Sequence, residues 1–338
     1  MKKKLLALAC ACAMMVSMSA CGSAEPDPAP APSAPAPEQS QPAAPDAEQY
    51  VVGIVQLVPH DALDAATQGF KDALSAALPG QVSFEMGVGA GDSATCTPIV
   101  TQYVASNVDL ILANATPALQ AAAAATADIP ILGTSVTEYG VALNIENFSG
   151  VVGSNISGTS DLAPLDEQAA MVKEWFPDTK TVGLLYCSAE ANSQYQVDEV
   201  QKLLEAEGIT CTQYPFSDSN DLAAIAQTAA DNSDVIYLPT DNTVASNTGI
   251  IDNICRPAGV PVIAGEEGIC AGCGVATLSI SYYDLGVATG NMAAKVLTGE
   301  VNIEELPIGY AETVTPKYNE AICSDLGITV PEGYNAIG

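Results

Sequence analysis

Side chains that could bind a small charged molecule stand directly after short apolar runs of this sequence. Asp241 and Glu266 each follow such a run, and their carboxylates could hold an amine through charge-assisted hydrogen bonds. In so acidic a chain they could equally be solvated loop residues. Thr116 lies where a helix should begin, and Ser193 follows Asn192 at the start of another. Backbone N–H groups at these two helix starts could bind an anion such as a carboxylate, and both hydroxyls could also act as N-caps.

The motifs of common enzyme classes are missing from the sequence. The chain has no GxxxxGK[ST], GxSxG or HExxH motif, and the three glycines of residues 87–91 do not have the GxGxxG spacing of a dinucleotide-binding fingerprint. His60, the one histidine, could serve as a base, but a loop residue near a cleft is the favoured interpretation. Arg256 is the one arginine, so a guanidinium clamp on a carboxylate is not expected. We therefore predict no catalytic residues, no enzymatic activity and no cofactor.

The cysteines do not form a recognisable disulfide framework. An odd number of them lies beyond Cys21, mostly in apolar segments: Cys96, Cys187, Cys211, Cys255, Cys270, Cys273 and Cys323. Cys270 and Cys273 have the spacing of a redox motif or of half a zinc site, but no second CxxC is present and His60 is distant in sequence. We expect a local disulfide or free thiols, with no metal site.

Strands and helices must position the polar residues, and the chain alternates the two. A short β-branched apolar run typical of buried parallel strands occupies residues 51–57, and further strands are predicted at residues 82–88, 109–113 and 129–133. Segments with helical spacing lie between them, at residues 64–78, 99–105 and 117–126. The alternation starts again at residue 181, after an amphipathic helix over 165–176. The pattern predicts an α/β fold of two lobes with parallel sheets, joined as a clamshell.

Open parallel sheets bind ligands at the carboxyl ends of their strands. The segments predicted to lie there are rich in small and polar residues, and they are residues 56–63, 89–93, 114–117 and 134–137 in the first lobe and 189–193, 240–243 and 265–268 in the second. We therefore expect a ligand to bind between the lobes, where these segments meet.

Charge excludes some partners. The chain has a formal net charge of −30, with 40 acidic and 10 basic residues. This charge repels nucleic acids and anionic lipid surfaces, so neither is an expected partner.

The first 48 residues have the features of an export and anchoring segment. Lysines at positions 2–4, an apolar run over 5–16 and small residues before Cys21 form the three-part layout of a signal peptide over residues 1–20. The residues before Cys21 resemble a bacterial lipobox, in which the cysteine is lipidated, although an ordinary signal peptide with a chance cysteine is the alternative. The Pro/Ala-rich stretch that ends at residue 48 is predicted to be a spacer between a membrane and the folded part.

Several segments, in order from about residue 50 to the C-terminus, resemble one family. They are Gly53-Ile-Val-Gln-Leu-Val-Pro-His-Asp-Ala-Leu-Asp64, Ala115-Thr-Pro-Ala-Leu-Gln120, Gly158-Thr-Ser-Asp-Leu-Ala-Pro164, Glu190-Ala-Asn-Ser193, Pro239-Thr-Asp-Asn-Thr-Val-Ala-Ser246, Ala264-Gly-Glu-Glu-Gly268 and Tyr282-Tyr-Asp-Leu-Gly286. They look like ABC-transporter substrate-binding proteins of the tryptophan/tyrosine importer type.

The resemblance implies a type I periplasmic-binding-protein fold, with two Rossmann-like lobes and three hinge crossings, and an aromatic amino acid as the ligand. Carried over by position, the ligand-binding residues are Thr116, Ser135 and Thr137 in the first lobe and Glu190, Asn192, Asp241 and Glu266 in the second. The strand-end segments add Leu63, Asp92 and Ser93 as candidate ligand-binding residues. The chain departs from the family at residues 91–98, where Ser93 and Cys96 alter the pattern and Pro98 is expected in a helix's first turn.

The resemblance also implies an ABC permease and its ATPase as partners of a monomeric protein. We expect lobe 1 to comprise residues 49–160 and about 281–307, and lobe 2 to comprise 161–280 and about 308–338, with hinges near residues 158–163, 280 and 307. A nucleoside or other aromatic-ring metabolite stays open as the ligand. A ligand-sensing subunit of a signalling receptor and an extracellular enzyme are the competing functions.

Overall fold

The computed structural model describes residues 49–311 and 313–337, and these residues build two β-sheets with helices packed against them. The predicted signal peptide, Cys21 and the linker lie outside the described residues.

The first sheet has six strands in the order β11-β5-β4-β3-β1-β2, and every neighbouring pair is parallel. Its strands are β1 (Tyr50–Gln56), β2 (Val82–Val88), β3 (Leu110–Asn114), β4 (Ile131–Val136), β5 (Ile156–Ser160) and β11 (Gly309–Tyr310). The helices that accompany it are α1 (Asp61–Ala77), α2 (Ser93–Ser106), α3 (Thr116–Ala125), α4 (Tyr139–Leu143) and α11 (Tyr282–Leu297), and a 3₁₀ turn spans Ile303–Glu305.

The second sheet has seven strands in the order β13-β12-β10-β9-β8-β6-β7. Its strands are β6 (Thr181–Cys187), β7 (Thr210–Phe216), β8 (Val235–Leu238), β9 (Val262–Ala264), β10 (Ala276–Ser279), β12 (Thr315–Tyr318) and β13 (Asn335–Ala336). Its helices are α5 (Leu165–Trp175), α6 (Ala191–Ala206), α7 (Ser219–Asn232), α8 (Asn242–Ala245), α9 (Thr248–Ala258), α10 (Glu267–Cys273) and α12 (Glu320–Leu326). Strand β12 runs antiparallel to β10, and the other neighbours are parallel.

The chain passes between the two sheets three times, after β5, after β10 and after β11. The predicted two-lobe α/β fold with three crossings is thereby confirmed. The third crossing follows Tyr310 rather than residue 307, because β11 adds a parallel strand to the first sheet beside β5.

Each sheet has its own apolar core. The central strand β3 is buried along its whole length, as are β8 and β9, because helices cover both faces of a parallel sheet. Helix α11 returns to the first lobe and packs on α1 at backbone distance. A Cβ on Gly286 would collide with the carbonyl of Ala66, and one on Gly69 with the carbonyl of Tyr283. Glycine therefore permits this close helix contact.

Helix α2 differs from its predicted position. It begins at Ser93 rather than at residue 99, because the Asp92 carboxylate caps it by accepting the N–H of Thr95 at 2.8 Å. Pro98 therefore lies inside the helix, where its missing N–H leaves the Ala94 carbonyl without its usual donor, so the expected first-turn position is wrong.

All seven cysteines of the described residues are free thiols, and six of them are buried. Burial raises the pKa of the Cys187 thiol to about 12 and that of Cys96 to about 11, so both thiols are protonated and unreactive at neutral pH. Over residues 49–311 and 313–337, no three His, Cys, Asp or Glu side chains are grouped to hold a metal ion. Within the same residues, no helix is long and apolar enough to cross a membrane.

Candidate ligand-binding site

The carboxyl ends of the two sheets meet at an interlobe seam. Helices α3 and α4 of the first lobe contact α6 of the second. His60, just before α1, lies 3.2 Å from Asn242 at the start of α8, measured from Nε2 to Oδ1. Since both residues follow the carboxyl ends of strands, the two edges predicted to bind a ligand face each other.

Two buried hydroxyls of the first lobe point to a ligand. Thr116 follows β3, and Ser135 lies at the end of the neighbouring strand β4. Each side chain is at most 5% exposed. Neither hydroxyl oxygen has a hydrogen-bond partner among the described residues. Buried hydroxyls nearly always make a hydrogen bond. Two that make none, on neighbouring strand ends, indicate that a polar ligand binds there.

The backbone around these hydroxyls is strained. Ala115 has a φ of 94° and Ser135 a φ of 54°, in the region that residues with a Cβ seldom adopt. Strain of this kind costs of order 1–3 kcal/mol per residue and is concentrated at functional sites. Ala115 immediately precedes α3, which contacts α6 of the second lobe at the seam.

The N-terminus of α3 has no side-chain cap. Its N-cap position is Ala115, and Thr116 is the first helical residue, so the expectation that Thr116 caps the helix is wrong. Ser193 is likewise inside α6, whose N-cap position is Glu190. An uncapped helix start, with the Thr116 hydroxyl beside it, suits an anionic group because the helix dipole and free N–H groups favour negative charge.

Glu190 holds the second-lobe edge together. Its carboxylate accepts hydrogen bonds from the N–H and side-chain amide of Asn242, from the N–H and hydroxyl of Thr243 and from the side chain of Asn192. The side chain is 1% exposed. Glu190 therefore fixes α8 and Asn192 to the end of β6.

Asp241 and Glu266 are both N-caps. Asp241 accepts the N–H of Val244 at 2.9 Å and that of Cys187 at 2.7 Å, and Glu266 accepts the N–H groups of Gly268 and Ile269. Burial, with the charge of Glu190 added, raises the pKa of Asp241 to about 8. Burial raises the pKa of Glu266 to about 7. The two acids are thus buried structural groups rather than solvated loop residues.

Asn192 differs from these acids because part of its side chain is free. Its amide nitrogen donates hydrogen bonds to Glu190 and to the carbonyl of Thr240. The amide oxygen Oδ1 takes part in neither bond. This oxygen is buried and has no donor among the described residues. Asn192 is therefore positioned to accept a hydrogen bond from a ligand.

Asp161 was not predicted as a site residue. It follows β5, its carboxylate accepts the hydroxyl of Tyr282 at 3.0 Å, and its other oxygen has no hydrogen bond among the described residues. Thr137 lies close enough to lower the pKa of Asp161, although burial raises it more. Asp161 lies within the family-like segment over 158–164, but residues 156–160 were not recognised as a strand, so its place at a strand end was missed.

Three predicted residues lie in other surroundings. Leu63 is 1% exposed and packs in the first-lobe core with Val55 and Leu57. Asp92 caps α2 at the surface, and Ser93 begins that helix. The structure connects none of the three to the unpaired atoms of Thr116, Ser135 and Asn192.

Two cavities flank the seam. One of about 450 Å³ is bordered by His60, Ser246 and Glu266, and another of about 480 Å³ lies beside the hinge segments, next to Tyr282 and Lys317. Thr116, Ser135 and Asn192 line neither cavity. Unpaired buried atoms, and not a cavity, mark the candidate site.

The sequence matches a protein family described as ABC transporter substrate binding protein over residues 51–336. The chain belongs to this family. A curated relative, the tyrosine-binding protein of Clostridioides difficile strain R20291, is 33% identical over 267 residues, which cover 77% of this chain and 76% of that protein. This protein is therefore a substrate-binding protein and not an enzyme.

Two solved structures are also similar. An ABC domain from Streptococcus pneumoniae in complex with L-Trp superposes with a TM-score of 0.81 at 31% identity, covering 86% of this chain and all of that one (100%). The ligand-free, open structure of a substrate binding protein with adhesive properties from Clostridium difficile superposes with a TM-score of 0.65 at 33% identity. The match covers 85% of this chain and 99% of that one. The predicted type I periplasmic-binding-protein fold is confirmed.

The two scores also bear on lobe orientation. The open structure has the higher sequence identity but the lower TM-score. Since a superposition of the whole chain depends on how the lobes are arranged, the lobes of this protein lie more as in the L-Trp complex than as in the open structure. The hydrogen bond between His60 and Asn242 is in keeping with a closed arrangement.

Proposed function

We propose that this protein captures an aromatic amino acid between its lobes and delivers it to an ABC importer. The observation that carries the proposal is that three of the seven buried polar atoms without hydrogen bonds among the described residues follow or end strands at the seam: Thr116 Oγ1, Ser135 Oγ and Asn192 Oδ1. They lie at facing strand ends of the two lobes. A ligand that pairs with all three would be bound by both lobes, and its contacts would favour the closed form.

The chemistry of these atoms supports an amino acid. Two hydroxyl donors beside the uncapped start of α3 suit a carboxylate, and the Asn192 oxygen accepts a hydrogen bond from a donor such as an ammonium group. The aromatic part of the proposal is supported by two relatives, one described as tyrosine-binding and one solved with L-Trp.

We propose further that the protein is exported and anchored by a lipid on Cys21, as a monomer that docks on a permease associated with an ATPase. The lipobox-like residues before Cys21 and the Pro/Ala-rich spacer support the anchor, and membership of the ABC-transporter family supports the partners. Metabolic labelling with an alkyne fatty acid should mark the wild-type protein and not Cys21→Ser. Equal labelling of both would refute the anchor.

A thermal-shift measurement tests the ligand. The purified protein is heated with L-Trp, L-Tyr, L-Phe and a panel of nucleosides, and a ligand at about 100 times its Kd adds about 2.7 kcal/mol of stability. We expect a clear rise in the midpoint with at least one aromatic amino acid. A rise with nucleosides alone would replace the proposal with the nucleoside alternative.

A variant of Thr116 tests the place of binding. Thr116→Val keeps the shape and removes the unpaired hydroxyl, and loss of a hydrogen bond to a charged group should weaken binding about tenfold or more. Thr228→Val is the matched control, because its hydroxyl bonds the Ala224 carbonyl on an exposed helix face. Equal affinities of the two variants in calorimetry would contradict the proposed site.

A further inference from the structure

Asp161 occupies the place where two hinge segments meet the ligand-binding edge. Its N–H donates to the carbonyl of Val136 at the end of β4, and it is the first residue after β5. Its carboxylate accepts the hydroxyl of Tyr282, the first residue of α11 after the second crossing. The side chain therefore joins the first and second crossings between the lobes.

The carboxylate has no positive partner in the described part of the chain. Asp161 is 3% exposed, and none of the ion pairs formed by residues 49–311 and 313–337 includes it. The titratable groups that act on it or feel its charge are Tyr282, Tyr139 and Glu266, and none of these supplies a positive charge. Burial raises the pKa of Asp161, and a cationic group of a bound molecule would stabilise its charged form.

The Asp161 side chain lies near residues of both lobes. Burial raises the pKa of Glu266 in the second lobe, and the charge of Asp161 adds to this shift. Burial also raises the pKa of Asp161, and Thr137, which follows β4, lowers it. Both neighbours belong to the facing strand ends. Asp161 therefore lies at the interlobe seam, where its N–H also donates to the carbonyl of Val136 at the end of β4.

Strand geometry relates Asp161 to the carboxylate-binding hydroxyls. Ser135 is on β4 and Asp161 follows the paired neighbour β5, and adjacent strands are about 4.8 Å apart. An α-amino acid carries its carboxylate and its ammonium group on one carbon. Two neighbouring strand ends can hold these two groups of one ligand.

We propose that Asp161 binds the α-ammonium group of the ligand through its free carboxylate oxygen, and that the ligand charge thereby acts directly on the hinge. The proposal rests on the proposed function, because it needs an amino acid in the cleft. It adds a requirement for the ligand, which must carry a protonated amine. Removal of the amine should weaken binding because the contact with Asp161 is lost.

The test pairs a protein change with a ligand change. Calorimetry measures wild type and Asp161→Asn with the aromatic amino acid that binds and with its deaminated analogue, 3-indolepropionate for Trp or 3-(4-hydroxyphenyl)propionate for Tyr. Loss of the charge-assisted bond should weaken binding of the amino acid by Asp161→Asn about 10- to 100-fold. Binding of the analogue should change by less than about threefold, since the analogue makes no such bond.

Asp72→Asn is a matched control, since Asp72 also accepts a tyrosine hydroxyl, that of Tyr283, but on an exposed face of α1. It should bind both ligands as wild type does. Tyr282→Phe removes the other partner of Asp161 and should keep the preference for the amine. If Asp161→Asn does not fold, wild type alone decides, because equal affinity for amino acid and analogue overturns the proposal.

Two further outcomes are distinct. Equal weakening of both ligands by Asp161→Asn would assign the residue a structural role and overturn the inference, while leaving the proposed function intact. If wild type binds no aromatic amino acid, the proposed function fails and the inference fails with it.

Discussion

The hydrogen bond between His60 and Asn242 crosses the seam, so its removal should change closure and leave each lobe folded. Asn242 donates its amide nitrogen to Glu190, which directs its oxygen to the imidazole, and His60 Nε2 is therefore the donor at 3.2 Å. Burial lowers the pKa of His60, so the bond is made by a neutral ring. In an open form, water would bind both groups.

The magnitude follows from the kind of bond. A neutral hydrogen bond contributes about 1 kcal/mol net, and His60→Ala should weaken ligand binding about fivefold. Because a ligand enters the open form and the bond belongs to the closed form, we expect an unchanged association rate and a dissociation rate that rises about fivefold. Stopped-flow fluorescence or surface plasmon resonance, with the ligand that raises the thermal midpoint, measures both rates.

Matched variants separate the bond from the ring. His60→Gln keeps an N–H donor and should retain most of the affinity, whereas Gln68→Ala, on the exposed face of α1, should have no effect. In an Asn242→Ala background, His60→Ala should add little, because the two residues share one interaction. A wild-type dissociation rate in His60→Ala would refute the idea that this contact stabilises the closed form.

Three further predictions concern the pKa of His60, the buried acids of the second lobe and the contact between α1 and α11. His60 is the one imidazole of the chain, so its NMR titration is unambiguous, and ligand should lower its pKa because closure buries the ring; an unchanged or raised pKa would contradict this. The pKa of Asp241 is raised from 3.8 to about 8 and that of Glu266 from 4.5 to about 7. The folded state therefore binds more protons than the unfolded chain between about pH 4 and 8, and the thermal midpoint of the ligand-free protein should fall as pH rises through this range, less so in Asp241→Asn. A rising midpoint would exclude these acids as the dominant groups. Gly286→Ala should destabilise the protein by about 2 kcal/mol in urea unfolding, because its Cβ meets the Ala66 carbonyl, whereas Gly249→Ala, with open space around its Cβ, should be neutral or slightly stabilising.

Much of the fold could be predicted because its signals are local. The apolar runs of β1, β3, β6 and β8 are nearly continuous in sequence, and the segments between the strands have helical spacing, so alternation alone indicated two parallel-sheet lobes. Strand β5 was missed, since Ser157, Gly158 and Thr159 carry no apolar run. Its burial comes from neighbouring strands and from α11, which residues far along the chain supply.

The site could be predicted only in part. The strand-end rule placed Thr116, Ser135 and Asn192 at the seam, but sequence does not show whether a buried oxygen is already paired. Glu190, Asp241 and Glu266 look alike in sequence as loop acids, yet in the structure each has its hydrogen bonds supplied by nearby N–H groups. Asp161 looks no different from them and has an oxygen left over.

The sequence by itself determined the class of the protein, its family, its two lobes and the edge at which a ligand should bind, because apolar periodicity and family motifs are properties of neighbouring residues. The tertiary structure alone decided which polar groups are free to bind. Pairing depends on what other segments bring within about 3 Å, as Tyr282 does for one oxygen of Asp161 and not for the other. Residues more than a hundred positions apart set that balance, and no local pattern records it.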